Sequence, residues 1–322
     1  MKALVSHFKE SPQWAEFTEP KAESDEVIVN VSAVALTNLV KSQSNGTHYS
    51  VKGDSVPFVP GDEGVGRMEN GQRVFFFSKR KPFGSMAEKT VVKKDFLVPL
   101  PDDLDDVSAA SISNPAMSSW AALTRRTLIK PGETVLINGA TGVSGQMAIR
   151  IAKHLGAGRV FVTGRKASNP DRLTALGADE VLLLDDDFNK SIAAVINEVS
   201  IVLDYLWGES AESIITAVGN THSERPIRYV QIGTIAGTTI NMPAFPLRAS
   251  GLIMMGTGLG SITNLELLQV IKEALHVAKK NRLNCRCNTN SHESRRNNLD
   301  SAQKRSCCIY FITTYASQRR TL

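Results

Sequence analysis

The stretch with the clearest chemical purpose is Val135-Leu136-Ile137-Asn138-Gly139-Ala140-Thr141-Gly142-Val143-Ser144-Gly145. Its glycines fall as G-x-x-G-x-x-G, between an apolar run and a segment with Met147, Ile151 and Leu155 at helical spacing. A strand that turns at Gly139 and enters a helix gathers unpaired helix amides, with their partial positive charge, at one point. That point is a seat for phosphate. Gly139 permits the tight turn, Gly142 lets the backbone approach a pyrophosphate, and Gly145 lets the helix pack on the strand. Thr141 and Val143 lie in the same turn.

A second strand follows about twenty residues later, the context this motif requires. It exits into Thr163-Gly164-Arg165-Lys166, with Arg172 shortly after and no acid at the strand end. A carboxylate there would accept from a ribose 2′-hydroxyl; adjacent cations suit a 2′-phosphate, which Arg can bind through two N–H groups. The residues therefore point to NADP(H) rather than NAD(H).

The elements that must hold this turn are legible as a change of grammar along the chain. The first hundred residues read as short strands separated by Pro and Gly, with candidates at Glu26–Val34, Gln72–Phe77 and Met86–Val92, and polar loops around 42–60 and 78–85. From about residue 115, strands and helices alternate. Strands are expected at Thr134–Asn138, Arg159–Thr163, Val181–Leu184, Ile201–Asp204, Arg228–Ile232 and Leu252–Met255, with helices at 145–155, 171–176, 188–199, 209–218 and 264–281. That order implies a parallel sheet covered on both faces. The fold class expected is α/β: a compact β-rich, barrel-like domain and a doubly wound parallel sheet.

Composition bounds the function. At 322 residues and 42% hydrophobic the chain is long enough for two domains. No apolar run reaches the length of a membrane span, and the N-terminus lacks the pattern of a secretory signal, so a cytoplasmic chain is expected. The net charge of +5 would suggest nucleic acid, but residues 283–322 carry seven Lys and Arg against two acids, which accounts for all of it. The remainder is neutral, which argues against a nucleic-acid partner. All four cysteines (Cys285, Cys287, Cys307 and Cys308) lie in the same forty residues.

Further stretches carry a resemblance: Val59-Pro60-Gly61-Asp62-Glu63-Gly64-Val65-Gly66, Phe83-Gly84-Ser85-Met86-Ala87-Glu88, Asn114 to Leu123, Leu176-Gly177-Ala178-Asp179 and Tyr229-Val230-Gln231-Ile232-Gly233. Together with the glycine turn they resemble the medium-chain dehydrogenase/reductase superfamily, in its zinc-free quinone oxidoreductase-like branch, over residues 1–282. The resemblance implies a GroES-like catalytic domain at 1–115, a Rossmann domain at 116–258, and a helix at 259–282 returning to the catalytic domain. It implies hydride transfer from NADPH to a quinone, an enone or another activated alkene or carbonyl. A zinc alcohol dehydrogenase of this superfamily would carry Gly-His-Glu where this chain has Gly61-Asp62-Glu63, and residues 1–282 contain no cysteine. No metal is expected. Tyr49 matches the position of a proton donor in related enoyl-thioester reductases, and Asn38 an asparagine near the nicotinamide. Ser118, Gly233-Thr234 and Gly256-Thr257 match positions near the ribose–nicotinamide end. Tyr205 and Trp207 end another strand and either shape the pocket or pack in the core. A small-molecule substrate and a homodimer complete the expectation. A non-catalytic NADPH-binding protein is the rival reading, and alcohol dehydrogenase chemistry a second.

After Leu283 the resemblance stops. Three readings of the 283–322 segment stand: a wrong reading frame or mis-spliced exon, which the composition favours; a genuine basic tail; and a metal site built from its cysteines and His292, against which the C-x-C and C-C spacings argue. The first reading implies a catalytic domain lacking its final strands, with an unpaired sheet edge and a marginal or inactive chain.

Overall fold

The computed structural model describes residues 1–8, 11–48, 51, 57–77, 80–165, 170–221, 225–281, 288–290 and 308–311, the last two segments and 279–281 by backbone alone. The chain forms two compact units, Met1–Asn114 with Ile271–Leu322, and Pro115–Val270.

The first unit is built from β1 (Lys2–Val5), β2 (Gln13–Glu16), β3 (Glu26–Leu36), α1 (Asn38–Ser44), β4 (Glu63–Met68), β5 (Arg73–Phe77), β6 (Lys89–Lys93), β7 (Leu97–Pro99) and the first part of α2 (Asp106–Ala121). β1 and β2 form an antiparallel ribbon. β3 is the spine of the larger sheet, pairing antiparallel with β4 and, through Glu26–Asn30, with β6. Its register against β4 shifts between Val31 and Ala33, the kind of irregularity that bends a strand and curls a sheet. Val29, Val31, Val34, Val74, Phe76 and Val92 close the core inside that curl. Arg73 on β5 clamps α2 to the sheet: Nε and Nη2 donate to Asp106 Oδ1 at 2.8 and 2.6 Å.

The second unit holds β8 (Thr134–Asn138), α3 (Val143–His154), β9 (Arg159–Gly164), α4 (Pro170–Ala175), β10 (Glu180–Leu183), α5 (Phe188–Val195), β11 (Ile201–Asp204), α6 (Gly208–Gly219), β12 (Ile227–Gln231), α7 (Phe245–Ala249) and β13 (Leu252–Gly256). α8 (Asn264–Asn281) follows and spans the boundary between the units. All five pairings are parallel, in the order β10-β9-β8-β11-β12-β13. Counted from β8 this is 3-2-1-4-5-6, the doubly wound order whose ligand crevice opens at the carboxyl ends of the first and fourth strands. Every residue of β8 and β11 is buried, because helices cover both faces. That is why these strands read as unbroken apolar runs rather than alternating ones.

The segment after 283 returns to the first unit. β15 (Cys308–Phe311) pairs antiparallel with Ala33–Leu36 of β3, and β14 (Asn288–Asn290) pairs parallel with β15. One edge of β3 is thus shared between β6 and β15. The unpaired edge expected of a wrong-frame tail is therefore not found at Ala33–Leu36.

Candidate functional site

The glycine turn sits where the sequence puts it, at the carboxyl end of β8 beside the switch between β8 and β11. Each glycine has a separate physical reason. Gly139 has φ +95°, a region that side-chain-bearing residues rarely adopt. A Cβ on Gly145 would lie 2.4 Å from the Gly139 carbonyl oxygen and 2.5 Å from Ala140 Cα, so α3 can approach β8 only with glycine there. Gly142 is different: its φ of −76° suits any residue and a Cβ would meet nothing within 4 Å. Nothing in the fold demands a glycine at 142. Open space over the amides that begin α3, with no acid in its first turn, is what a pyrophosphate requires. Thr141 and Val143 flank that opening, and Gln146 Nε2 braces the turn by donating to the Thr141 carbonyl at 2.8 Å.

At the end of β9, Arg165 is exposed and Arg172 lies exposed on α4. Among the described residues no carboxylate lies within ion-pair distance of either. Lys166 lies outside the described residues.

The remaining strand ends carry the other expected positions. Gly233 follows β12, and a Cβ there would lie 2.6 Å from the Tyr205 carbonyl. Thr234 is exposed beside it. Gly256 ends β13, and the Thr257 amide donates to the Gln231 carbonyl at 3.0 Å. Ser118, half-buried on α2, donates to the Pro115 carbonyl at 3.1 Å and lies 3.5 Å from the Tyr205 hydroxyl. Tyr205 is 7% exposed, and burial pushes its phenol up to about 12, with hydrogen bonds from Ser118 and Ser119 opposing. The second unit thus brings the turn, Arg165, Ser118, Gly233, Thr234, Gly256 and Thr257 to the carboxyl edge of one sheet or its approach.

In the first unit, Asn38 is exposed at the start of α1, whose N-terminus is capped by Thr37 Oγ1 accepting from the Val40 amide. Tyr49 lies outside the described residues. Asp62, at the position of the zinc-ligating histidine in metal-dependent relatives, accepts from Gln43 Nε2 at 2.8 Å. Among the described residues no group of three or more His, Cys, Asp or Glu could hold a metal ion.

Three features were not expected. Leu206 leans over the turn: a Cβ on Gly139 would lie 2.8 Å from its Cδ2. Trp207 adopts φ 61°, ψ −158°, a backbone region essentially confined to glycine and found at clamps and active sites. Its amide donates to Asp204 Oδ1 at 3.0 Å. Finally, Thr163, Asn138, Asp204 and Tyr229, each fully buried, stand on four neighbouring strands. The sequence offered a signal for two of them: Asn138 and Asp204 close otherwise apolar strands.

A parallel sheet in this order, with a glycine turn at its switch point and a β-rich companion unit, defines a dinucleotide-binding dehydrogenase or reductase architecture. A family model described as zinc-binding dehydrogenase matches residues 144–276. A probable NADPH-dependent quinone reductase of Emericella nidulans is 26% identical over 80% of this chain and 84% of that protein. Acrylyl-CoA reductase of Ruegeria pomeroyi is 29% identical over 62% of this chain, which spans 63% of that protein's length. Among solved structures, the quinone oxidoreductase of Thermus thermophilus, determined alone and with NADPH, superposes with a TM-score of 0.77 at 24% identity, over 97% of this chain and all of that one. These matches support a quinone-oxidoreductase-like protein of the medium-chain dehydrogenase/reductase type. The matched family segment lies within α3–α8 and does not include Asp62, so its zinc epithet bears on the family and not on a ligand set here. No helix among the described residues is long and apolar enough to cross a membrane.

Proposed function

We propose that this chain is an NADPH-dependent oxidoreductase that delivers hydride, without zinc, to a quinone, an enone or another activated alkene or carbonyl. The observation that carries the reading is the pairing of an open Gly142 over the amides of α3 with cations, and no acid, where β9 ends. The relatives support it: one is named for NADPH-dependent quinone reduction and another for reduction of an acrylyl thioester.

The amides of Gly142, Val143 and Gly145 and the backbone of Gly139 and Thr141 seat the pyrophosphate. Arg165 and Lys166, joined by Arg172, hold the 2′-phosphate. Ser118, Gly233, Thr234, Gly256 and Thr257 line the ribose–nicotinamide end. When bound, the nicotinamide supplies a hydride to an electron-poor carbon. Hydride addition leaves negative charge on the substrate oxygen, which hydrogen-bond donors stabilise and one acid neutralises. Tyr49 and Asn38 take those roles in this reading, each supported only by its place in the family pattern. Gln43 already satisfies one oxygen of Asp62, which supports charge handling by donors rather than by a metal.

The end strand β13 presents apolar residues, with Ile253 46% exposed, and an open apolar edge favours pairing with a second copy. We read that edge as a homodimer contact and, from the sequence, the protein as cytoplasmic, with 1–115, 116–258 and 259–282 as its working segments; sedimentation and cell fractionation check the first two points. The test of activity is direct. The purified chain is mixed with NADPH and a panel of quinones and enones, and NADPH absorbance is followed. Oxidation with at least one acceptor, faster than with NADH and unaffected by a zinc chelator, is the expected result. Tight NADPH binding without turnover would replace an enzyme with a non-catalytic binder. Stoichiometric zinc lost together with activity would restore alcohol dehydrogenase chemistry.

A further inference from the structure

The four buried polar side chains form one directed chain of hydrogen bonds. On β12, the Tyr229 hydroxyl donates to Asp204 Oδ2 at 2.6 Å. On β8, Asn138 Nδ2 donates to Asp204 Oδ1 at 2.8 Å and to Ser210 Oγ at 2.9 Å. On β9, the Thr163 hydroxyl donates to Asn138 Oδ1 at 2.7 Å. The Gly139 amide, the first of the glycine turn, donates to Thr163 Oγ1 at 2.9 Å. The chain runs across β12, β11, β8 and β9, four neighbours in the sheet.

Its direction is forced. Asp204 only accepts: besides Tyr229 and Asn138 it takes the amides of Leu206 and Trp207 at 2.9 and 3.0 Å. An amide side chain facing a carboxylate must present nitrogen, so Asp204 fixes which way Asn138 points. Asn138 then offers its oxygen to Thr163, whose hydroxyl must donate to it. That leaves the Thr163 lone pairs for the Gly139 amide. All four side chains are cut off from water, so no solvent molecule competes for these bonds. The same carboxylate holds the backbone of Leu206, whose side chain covers Gly139, and of Trp207 in its strained conformation. Both sides of the switch point therefore depend on one buried acid.

We propose that Asp204, Asn138 and Thr163 are positioning residues for the dinucleotide. Asp204 sets Asn138, Asn138 sets the Thr163 hydroxyl, and that hydroxyl holds the first peptide of the glycine turn so that the following amides face the pyrophosphate. None of the three touches the nucleotide. This rests on the nucleotide reading above.

The experiment separates the two. NADPH affinity is measured on the full chain by fluorescence titration, and adenosine 2′-monophosphate, which reaches the Arg165 end but not the turn, is measured as a competitor. Thr163→Val keeps shape and removes the relay; Thr163→Ser keeps the hydroxyl; Asp204→Asn alters the origin of the chain and is included if it folds. Thr163→Val should weaken NADPH about tenfold, on the scale of one lost buried hydrogen bond, while adenosine 2′-monophosphate stays within about twofold of the unmutated chain on the same scale. Thr163→Ser should recover most of the NADPH affinity. Unchanged NADPH affinity in Thr163→Val, an equal loss for both ligands, or no recovery with serine overturns the positioning role and leaves the nucleotide reading intact. An unmutated chain that binds neither ligand overturns the nucleotide reading and this one with it.

Discussion

Gly142 and Gly145 are both glycines of one turn, and the structure gives them opposite work, which alanine at each position should separate. At Gly145 the new methyl would sit 2.4 Å from the Gly139 oxygen and 2.5 Å from Ala140 Cα. Ordinary contact begins near 3.4 Å, so about 1 Å of backbone displacement is needed, an overpacking cost of about 1–3 kcal/mol or more. Helix propensity offsets about 1 kcal/mol of that. The net loss reaches about 2 kcal/mol, a fall in melting temperature of up to roughly 8 °C for a unit of this size. At Gly142 the backbone angles suit alanine and nothing lies within 4 Å. There alanine should stabilise slightly, by about 0.4–1 kcal/mol, by narrowing the unfolded ensemble. Yet its methyl fills the space the pyrophosphate needs, so NADPH affinity should fall at least about tenfold, or 1.4 kcal/mol. Melting of both variants with and without NADPH reads all of this at once: Gly142→Ala melts at or slightly above the wild type and shows a smaller NADPH-induced rise, whereas Gly145→Ala melts low even without nucleotide. Wild-type NADPH affinity in Gly142→Ala would show that no phosphate uses this turn, and a wild-type melt in Gly145→Ala would show that α3 does not approach β8 as closely as described.

Arg165→Ala should weaken NADPH by about 10–100-fold, the worth of charge-assisted hydrogen bonds to a phosphate, and leave NADH unchanged; parallel titrations with both cofactors check the ratio. Tyr205→Phe tests the raised phenol. Because the folded pKa, about 12, exceeds the ordinary 10, the contribution of Tyr205 is full below pH 10 and is lost as pH climbs from there toward 12. Between about pH 9 and pH 11 the wild type should therefore lose about 1.4 kcal/mol more stability than the phenylalanine variant, and equal losses in urea unfolding would show that the hydroxyl is not buried. Arg73→Lys should destabilise the first unit by about 1–3 kcal/mol, since an ammonium cannot make the forked contact to Asp106; a denaturation midpoint no lower than wild type would count against that clamp.

How much of this was legible follows from what each element buries. β8 and β11 are covered on both faces, so they announce themselves as apolar runs ending in Asn138 and Asp204. The strands expected at Arg159–Thr163 and Leu252–Met255 extend by one residue each, to Gly164 and Gly256. α2 was not legible: Ser, Asn and an internal Pro115 dilute its amphipathic pattern, and its helicity is fixed by the Arg73–Asp106 clamp and by packing rather than propensity. α1 has seven residues and buries one apolar side chain, Val40, too little to mark a period against the polar loop expected from residue 42. The polar chain behind the turn was illegible for another reason. Asn138 and Asp204 are 66 residues apart, and nothing local says that two strand-ending polar residues will be neighbours until strand order is known.

The segment after 283 shows the converse limit. Its charge and cysteines set it apart as a whole, but a strand needs only a few residues that fit an edge, and Cys308–Phe311 meets that need against Ala33–Leu36. Composition over forty residues and pairing over four answer different questions. An anomalous origin for the segment predicts an unpaired edge, and at Ala33–Leu36 β15 pairs instead. The discriminating perturbation is Ile309→Pro. Its register partner is Ala35, and proline both removes a backbone donor and breaks the ladder. If β15 contributes to the first unit, the melting temperature should drop by several degrees, matching a loss of about 1–3 kcal/mol. If the segment only lies near β3 without stabilising it, Ile309→Pro will melt as the wild type does, and the first unit must then be stable with one half of the β3 edge unsupported.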